Sequence, residues 1–581
     1  MSLGVCLVTP FAWSQHHEAN EHLRISADTL RERGHRVTIL GPSTRTSDLS
    51  AGRRALRLLE RVRTRLEGFV ALGPAVPVSR REHVGVPVGI RANLRLALET
   101  SEFDIVHVYD PGRIGISYHA LLLADALTVA TFHSPDRVSY PAGKKRRERL
   151  LTRVDVLTAT SDRALEAASQ RFPGDYELLP LGISVAPSAE VSPRERPLLV
   201  VEWHPEERER IRQVLRSMIG VPHWDVRILR LRTLSGRPYV PRELRARCEV
   251  TTARDGRRRR ELLAEATAFI GALDGSTRAQ AEATAMGAVQ IRTDVRDLAA
   301  ALDEQTSSAS DAPASAAAAV DHSTEALGAR LESIYTDLMT RRRPSSRPGR
   351  TEPLGERPWI LCDLHMHTEF SHDCSVPVPE LLDEAERLGL GAIAVTDHNV
   401  FGGARLAAEL AQERELIVIP GEEMKTERGE VIGLFLEEEI PAGLSMEDTI
   451  VAIREQGGLV YLPHPFDRMH SIPRPETIHR LLPEIDVIEV YNARLLFEGY
   501  NDEALRFARK YNMLMGAGSD AHVLQGLGTG LVRMRAFEDS EEFLVSLASA
   551  ELVRRPKSLL YLQGLKWVAQ ARERRARTAI R

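Results

Sequence analysis

WILCDLHMHTEFSHD, residues 359–373, is a short apolar run that breaks into Asp363, His365 and His367, with Asp373 six residues beyond. The same grammar recurs downstream. AIAVTDH ends in Asp397 and His398, LIVIPGEE in Glu422 and Glu423, LVYLPHP carries His464, and LMGAGSDAH carries Asp520 and His522. Each is a strand-like segment ending in a side chain that can bind metal. In a β/α barrel the C-terminal ends of the strands open on one mouth, so these groups are expected to meet. Histidines and carboxylates without thiolates suit manganese, zinc or iron, with magnesium also admissible. Their number exceeds what one ion needs and predicts two or three divalent metal ions sharing a bridging carboxylate. Such clusters lower the pKa of a bound water and clamp both oxygens of a phosphoryl displacement. A lone histidine would ordinarily read as a core or surface side chain. Five strand ends finishing alike argue against that, and closed structural zinc sites usually use cysteine.

Outward from this block the chain divides. Its 581 residues exceed one ordinary core and predict three globular units. Residues 1–190 alternate strand runs with helical stretches: LGVCLVTP, a helix-like Ala19–Arg33, RVTIL, DIVHVYD, TVATFHS and DVLTATS. Residues 191–341 repeat the rhythm with RPLLVVEW, WDVRILRL, CEVTTA, ATAFIGAL and AVQIRT. Strands alternating with helices predict parallel sheets, with ligands beyond the strands' C-terminal ends. RRPSSRPGRTEPLGERP reads as a linker over 342–358, then a metal-dependent unit over 359–560 and a basic helix or tail over 561–581.

The metal-type motifs DLHMHTEFSHD, VTDHN, IPGEE, YLPHP and GSDAH resemble, in order and spacing, those of the PHP (polymerase and histidinol phosphatase) phosphoesterase domain. The resemblance implies a distorted seven-stranded β/α barrel. It implies that His365, His367 and Asp520 hold a first metal, that Glu423 bridges to a second held by His464, and that Asp373, His398 and His522 hold a third. Where many members carry a histidine before V-x-G-L, this chain has Glu430, which can also ligate. Glu423 is also expected in catalysis as the bridge, Asp397 as the group that orients His398 or a water, and Arg468 as a phosphate-binding cation. Asn492, ending DVIEVYN, is a weaker candidate.

TPFAWSQHHEANEHLRISADTLRERGHRVTILGPS, FDIVHVYDP, VATFHSP, TATSD and LLPLGIS resemble the amino-terminal half of GT-B glycosyltransferases of the family-4 type. ALDGSTRAQAEATAMGAVQI resembles their donor-binding signature, with Asp274 and Glu282 in the places of two acidic residues eight apart. The resemblance implies two Rossmann-like domains and a nucleotide-sugar partner. Two features depart from it: SQHHEAN stands where a Gly-Gly loop approaches the donor phosphates, and VVEWHPEER puts Glu202-Trp203 where Gly-Arg is expected. Leaving-group neutralisation is a main electrostatic term in such transfers, so the fold is expected with altered transferase activity, Arg208 or Arg210 being the available substitutes. An active transferase, with a lipid or metabolite acceptor and the barrel trimming a phosphate, is the alternative. A non-catalytic binding module beside a nuclease-type barrel is another.

Charge and composition exclude other classes. The net charge is 77 − 81 = −4, which argues against a surface built for nucleic acid or anionic lipid. Six of the basic residues are lysine and 71 are arginine. No apolar run is long enough for a transmembrane helix, MSLGVCLVTP lacks the features of a signal peptide, and four scattered cysteines form no CxxC pair. A reduced, cytoplasmic location is the expectation. Arg53, Arg57, Arg61 and Arg65 recur every four residues opposite Leu58, Leu59, Val62 and Leu66, a pattern that can touch an anionic membrane as well as edge a solvated helix. KKRRER at 144–149, RRRR at 257–260 and the tail from Lys566 read as charged helix ends, with a phosphorylated polymer such as nucleic acid as the other reading. The partner expected at the barrel is a small phosphate ester or sugar phosphate.

Overall fold

The computed structural model describes residues 2–62, 65–78, 83–85, 87–134, 138–183, 194–231, 236, 238–271, 277–291, 298, 300–302, 321–342, 354–468, 475–558 and 560–565. It divides into two compact units, Met1–Met339 and Thr340–Arg581.

The first unit holds two sheets. One has the order β4-β3-β2-β1-β5-β6-β7-β8, from β1 (Gly4–Val8), β2 (Arg36–Ser43), β3 (Gly68–Pro77), β4 (His83–Gly85), β5 (Ile105–Tyr109), β6 (Leu127–Phe132), β7 (Val156–Ala159) and β8 (Tyr176–Leu178). All its pairs are parallel except β3 with β4. Strands such as GVCLV and IVHVY are buried along their whole length, as expected where helices cover both faces of a parallel sheet. The second sheet, wholly parallel, has the order β11-β10-β9-β12-β13, from β9 (Leu198–Glu202), β10 (Asp225–Leu231), β11 (Cys248–Ala253), β12 (Ala268–Ile270) and β13 (Val289–Gln290). These are the two Rossmann-like lobes.

The helix Glu18–Glu32 begins on His17, whose ring accepts the Ala19 N–H, and stops before Gly34 at φ +87°; glycine takes that left-handed turn without a Cβ penalty. The helix Thr324–Met339, expected with the second lobe, packs instead on the first. Tyr335 donates or accepts a 2.7 Å bond with His107 on β5, and Arg33 pairs with Glu332 at 2.6 Å and with Glu325. Ile183 N–H also donates to His322 O, so both ends of the second lobe leave the first at one place.

The membrane-contact expectation for Arg53–Arg65 is not borne out. The helix Thr46–Val62 buries Leu56 and Leu59 in the first core, together with Leu66 beyond its end. Leu59 and Leu66 of its apolar stripe are spent on packing, while Leu58 and Val62 stay exposed. Among the described residues no helix is long and apolar enough to cross a membrane.

The second unit is one sheet of order β20-β19-β18-β17-β16-β15-β14-β21-β22, from β14 (Trp359–Met366), β15 (Ala392–His398), β16 (Ile417–Thr426), β17 (Gly429–Leu434), β18 (Leu459–Leu462), β19 (Val487–Asn492), β20 (Leu514–Gly518), β21 (Gly530–Arg535) and β22 (Glu551–Arg554). Strands β14 to β20 curl into a seven-stranded barrel. The end of β14 meets the segment after β20 through Asp520 N–H to His365 O at 2.8 Å and His367 N–H to Ala521 O at 3.1 Å. Distortion enters in two ways. Registers shift between Asp363 and Met366 and between Glu489 and Tyr491, and β17 runs antiparallel to both neighbours. At the edges of the expected linker 342–358, Arg342 Nε donates to Lys510 O, Leu354 is buried, and Arg357 pairs with Glu542.

Candidate metal centre

The barrel mouth is built by alternation. On β16, Glu422 and Glu423 point to opposite sides, as neighbours on a strand must. Glu423 enters the mouth, whereas Glu422 accepts Ile440 N–H at 2.9 Å away from it. Glu430 arrives by a different route from the rest. It lies near the start of β17, and the turn at 427–428 folds that start back beside Lys425.

All nine expected ligands converge. Glu423 is the hub: its oxygens lie 3.4 Å from His365 Nε2, 3.5 Å from His367 Nε2, 3.0 Å from His398 Nδ1 and 3.2 Å from His464 Nε2. Asp520 Oδ1 lies 3.4 Å from His367 and 3.4 Å from His522. Asp373 meets His522 at 3.0 Å and His398 at 3.7 Å, and Glu430 approaches His464 at 3.8 Å. Three overlapping groups have ligand atoms within 4.8 Å of one another: His365/Glu423/His464, His365/His367/Asp520 and His367/His398/His522.

The hydrogen bonds behind these rings decide what the cluster can hold. Ser371 Oγ donates its single proton to Asp397 at 2.7 Å and accepts His398 N–H at 3.0 Å. His367 Nδ1, 3.1 Å from the same oxygen, must therefore be the donor. His365 Nδ1 faces the Glu489 carboxylate at 3.0 Å and likewise donates. Their Nε2 atoms, 3.3 Å apart, are then the ring nitrogens left to face the carboxylates. Imidazole nitrogens and carboxylates converging this closely fit divalent cations, and second-side hydrogen bonds of this kind orient ligating histidines. Burial disfavours charge on every ring here. At His464 the carboxylates Glu423, Glu489 and Asp520 overcome it and push the pKa up to about 9. At His367 burial prevails, reinforced by His522 and His398, and the pKa falls well below the ordinary value.

Two expected roles change. Asp397 turns its carboxylate to Thr368 and Ser371 rather than to the His398 ring. Its carboxylate is filled by Thr368 N–H at 2.7 Å, Thr368 Oγ at 2.6 Å and Ser371 Oγ, so it acts on His367 through Ser371. Arg468 is exposed on the turn after His464, outside the contacts of the cluster. The guanidinium at the mouth is that of Arg494, which sequence reading missed; its Nη1 lies 3.1 Å from both Asp520 Oδ1 and His522 Nδ1. Glu489, also missed, faces His365 Nδ1 from behind the ring at 3.0 Å. Asn492, the weaker candidate, donates to Glu489 at 3.0 Å and to Asp520 at 3.2 Å.

Residues 363–520 match the PHP domain model, and 498–552 match the PHP-associated model. An uncharacterized protein of Methanocaldococcus jannaschii is 35% identical over 211 residues, 34% of this chain and 84% of the relative. The chain belongs to the PHP family. Its PHP domain follows a region, residues 19–186, that matches the Glycosyltransferase Family 4 model. A phosphatidyl-myo-inositol mannosyltransferase of Propionibacterium freudenreichii is 28% identical over 171 residues, 29% of this chain and 42% of that relative's length. Sucrose-phosphate synthase from Thermosynechococcus elongatus aligns over 58% of this chain and 99% of its own at 12% identity, with a TM-score of 0.36.

In the region ahead of the PHP domain, Glu282 is 1% exposed and not free for a ligand. Arg259 grips it twice, at 2.7 Å and 2.8 Å, and reaches Glu21 on the other lobe at 3.2 Å. Arg260 adds a 3.2 Å contact to Glu21. Half of the basic run 257–260 is thus an ion-paired clasp between lobes, not a solvated helix end. Beside it opens a cavity of about 420 Å³, lined in part by Trp13, His16, His17, Arg24 and Arg257. Arg210 is committed to Glu207 and to Gly271 O, while Arg208 is exposed. Asp274 and the basic tail from Lys566 lie outside the described residues.

Proposed function

We propose that the PHP domain hydrolyses a phosphate ester at the mouth of its barrel, on two or three divalent cations held by the three overlapping ligand groups. The observation that carries this is the convergence of the His365 and His367 Nε2 atoms on Glu423 and Asp520. Divalent cations bound there supply charge neutralisation to the phosphoryl group and activation of water. The chain's own part is geometric. Glu423 spans the groups as the bridging carboxylate, and Asp373 tethers His398 and His522 on the opposite flank. Arg494, its side chain 31% exposed, is placed to bind a phosphoryl oxygen beside them.

The substrate class is a small phosphate ester, sugar phosphates included; a nuclease reaction is the competing outcome. The test is phosphate release by chelator-stripped full-length protein reloaded with manganese, zinc, iron or magnesium. Phosphomonoesters, sugar phosphates, nucleotides and short oligonucleotides are compared. Release restored by metal supports the proposal, and no release under any metal overturns it. Arg494→Met should raise KM about 10- to 100-fold, the equivalent of a charge-assisted hydrogen bond of about 1.5–3 kcal/mol. Metal content, read by elemental analysis, should stay at the wild-type level.

For the first unit we infer a GT-B scaffold that binds without ordinary sugar transfer. The clasped Glu282 and the buried Glu202 in the leaving-group position support this reading. Consumption of a sugar nucleotide by the purified chain would favour an active transferase instead, in line with the mannosyltransferase relatives.

A further inference from the structure

Glu489 belongs to none of the three ligand groups, yet it reaches into two of them. It is 1% exposed and sits on β19 where the register against β20 shifts. Its carboxylate faces four donors. Oε1 accepts His365 Nδ1 at 3.0 Å and the Tyr461 hydroxyl at 3.3 Å. Oε2 accepts the His464 backbone N–H at 2.8 Å and Asn492 Nδ2 at 3.0 Å. One side chain therefore orients a ring on β14 and pins the backbone of another ligand after β18. Through Asn492 it also leans on the Asp520 carboxylate.

Two independent features show that the fold accommodates this arrangement. His464 has φ +25°, a left-handed backbone that L residues rarely adopt, and the bond from its N–H to Glu489 holds it there. At Gly518 an added Cβ would collide with His365 Cβ and come within 2.9 Å of Glu489 Oε1. Only glycine leaves room for the imidazole and the carboxylate to meet.

Resting on the metal-centre reading above, we infer that Glu489 is the positioning residue that holds the His365 ring with Nδ1 on its own carboxylate and Nε2 toward the ligands, and so aligns the two ligand groups sharing that ring. Those groups are His365/Glu423/His464 and His365/His367/Asp520; the third, His367/His398/His522, contains neither His365 nor His464. The role requires a carboxylate. All four facing groups are donors, so an amide nitrogen in place of either oxygen would confront donors with a donor. Orienting partners of ligating histidines are worth about 10- to 100-fold in metal affinity.

The experiment is a manganese titration of the chelator-stripped full chain, wild type against Glu489→Gln, followed by calorimetry and by the electron paramagnetic resonance of bound ion. Circular dichroism and the metal-free Tm are recorded beside it. Binding to the groups that share His365 should weaken about 10- to 100-fold. Binding to the third should keep its wild-type affinity, with an unchanged metal-free Tm. Should the glutamine variant not fold, Glu489→Asp, which keeps the charge but shortens the reach by one methylene, reads the same isotherm. Identical isotherms would overturn the inference. So would an equal loss at every step accompanied by a lowered metal-free Tm, since that marks a merely structural role. A wild-type chain that binds no manganese, zinc or iron would instead bring down the metal-centre reading itself.

Discussion

Asp520→Asn should lower metal-dependent phosphate release by about 10³-fold or more while the chain stays folded. Asp520 Oδ1 lies between His367, His365, His522 and Arg494, and Oδ2 accepts from Asn492. It is therefore the anion that balances the His365/His367 pair on the side away from Glu423. Asparagine keeps the shape and tolerates the left-handed φ of +51° found here, where alanine would add backbone strain. It removes the charge and turns an amide nitrogen toward donors. Charge stabilisation by a bound cation is worth several kcal/mol, so losing its ligand set costs about three decades in rate. The readout is inorganic phosphate released per unit time, with circular dichroism as the check on folding. Unchanged turnover would place the chemistry elsewhere.

Arg259→Met should destabilise the first unit by about 3–5 kcal/mol, the range for breaking a buried ion pair by removing one partner. The side chain of Arg259 is 1% exposed, that of Glu282 1% and that of Glu21 4%. Two carboxylates would be left buried between the lobes with Arg260, itself 34% exposed, and the more distant Arg278 and His16 to compensate them. The combined variant Arg259→Met/Glu21→Gln/Glu282→Gln should recover part of the loss, because no buried carboxylate is left without its partner while Arg278 and Arg260 lose theirs. Urea unfolding followed by tryptophan fluorescence reports on this unit through Trp13, Trp203 and Trp224. A single variant as stable as wild type would show that the clasp is not maintained in solution.

The barrel and most of its mouth were legible because the information is local. Each strand is an apolar run that stops in His, Asp or Glu, and strand ends of a barrel share one mouth. Glu430 was expected only through the family resemblance; it enters from the beginning of an antiparallel strand, and pairing of β17 with β16 carries it to the ligands. What escaped needs the third dimension. Glu489 is a charge inside the apolar run DVIEVYN; a buried carboxylate in mid-strand was the signal, but nothing in sequence names its four donors. Arg494 is one arginine among 71, told apart by lying two residues past a strand end. Arg259 was hidden within four consecutive arginines, of which helical periodicity turns this one inward. The stripe of Leu58, Leu59, Val62 and Leu66 stayed ambiguous for the opposite reason, since burial against a sheet and adsorption on a lipid surface demand the same spacing of leucines.

The helix Thr324–Met339 has a consequence for the order in which the molecule can be made. Its Tyr335 completes the polar contact of His107, and its Glu332 and Glu325 satisfy Arg33. These partners lie between 228 and 299 residues apart along the chain. During synthesis the first lobe therefore has to wait, its His107 and helix Glu18–Glu32 without their cover, until the whole second lobe has left the ribosome. At about 5–20 residues per second this exposure lasts on the order of ten seconds or more. The second lobe, attached at both ends to one place near Ile183 and His322, is in effect a hanging insertion that a nascent chain must finish before its first lobe can close.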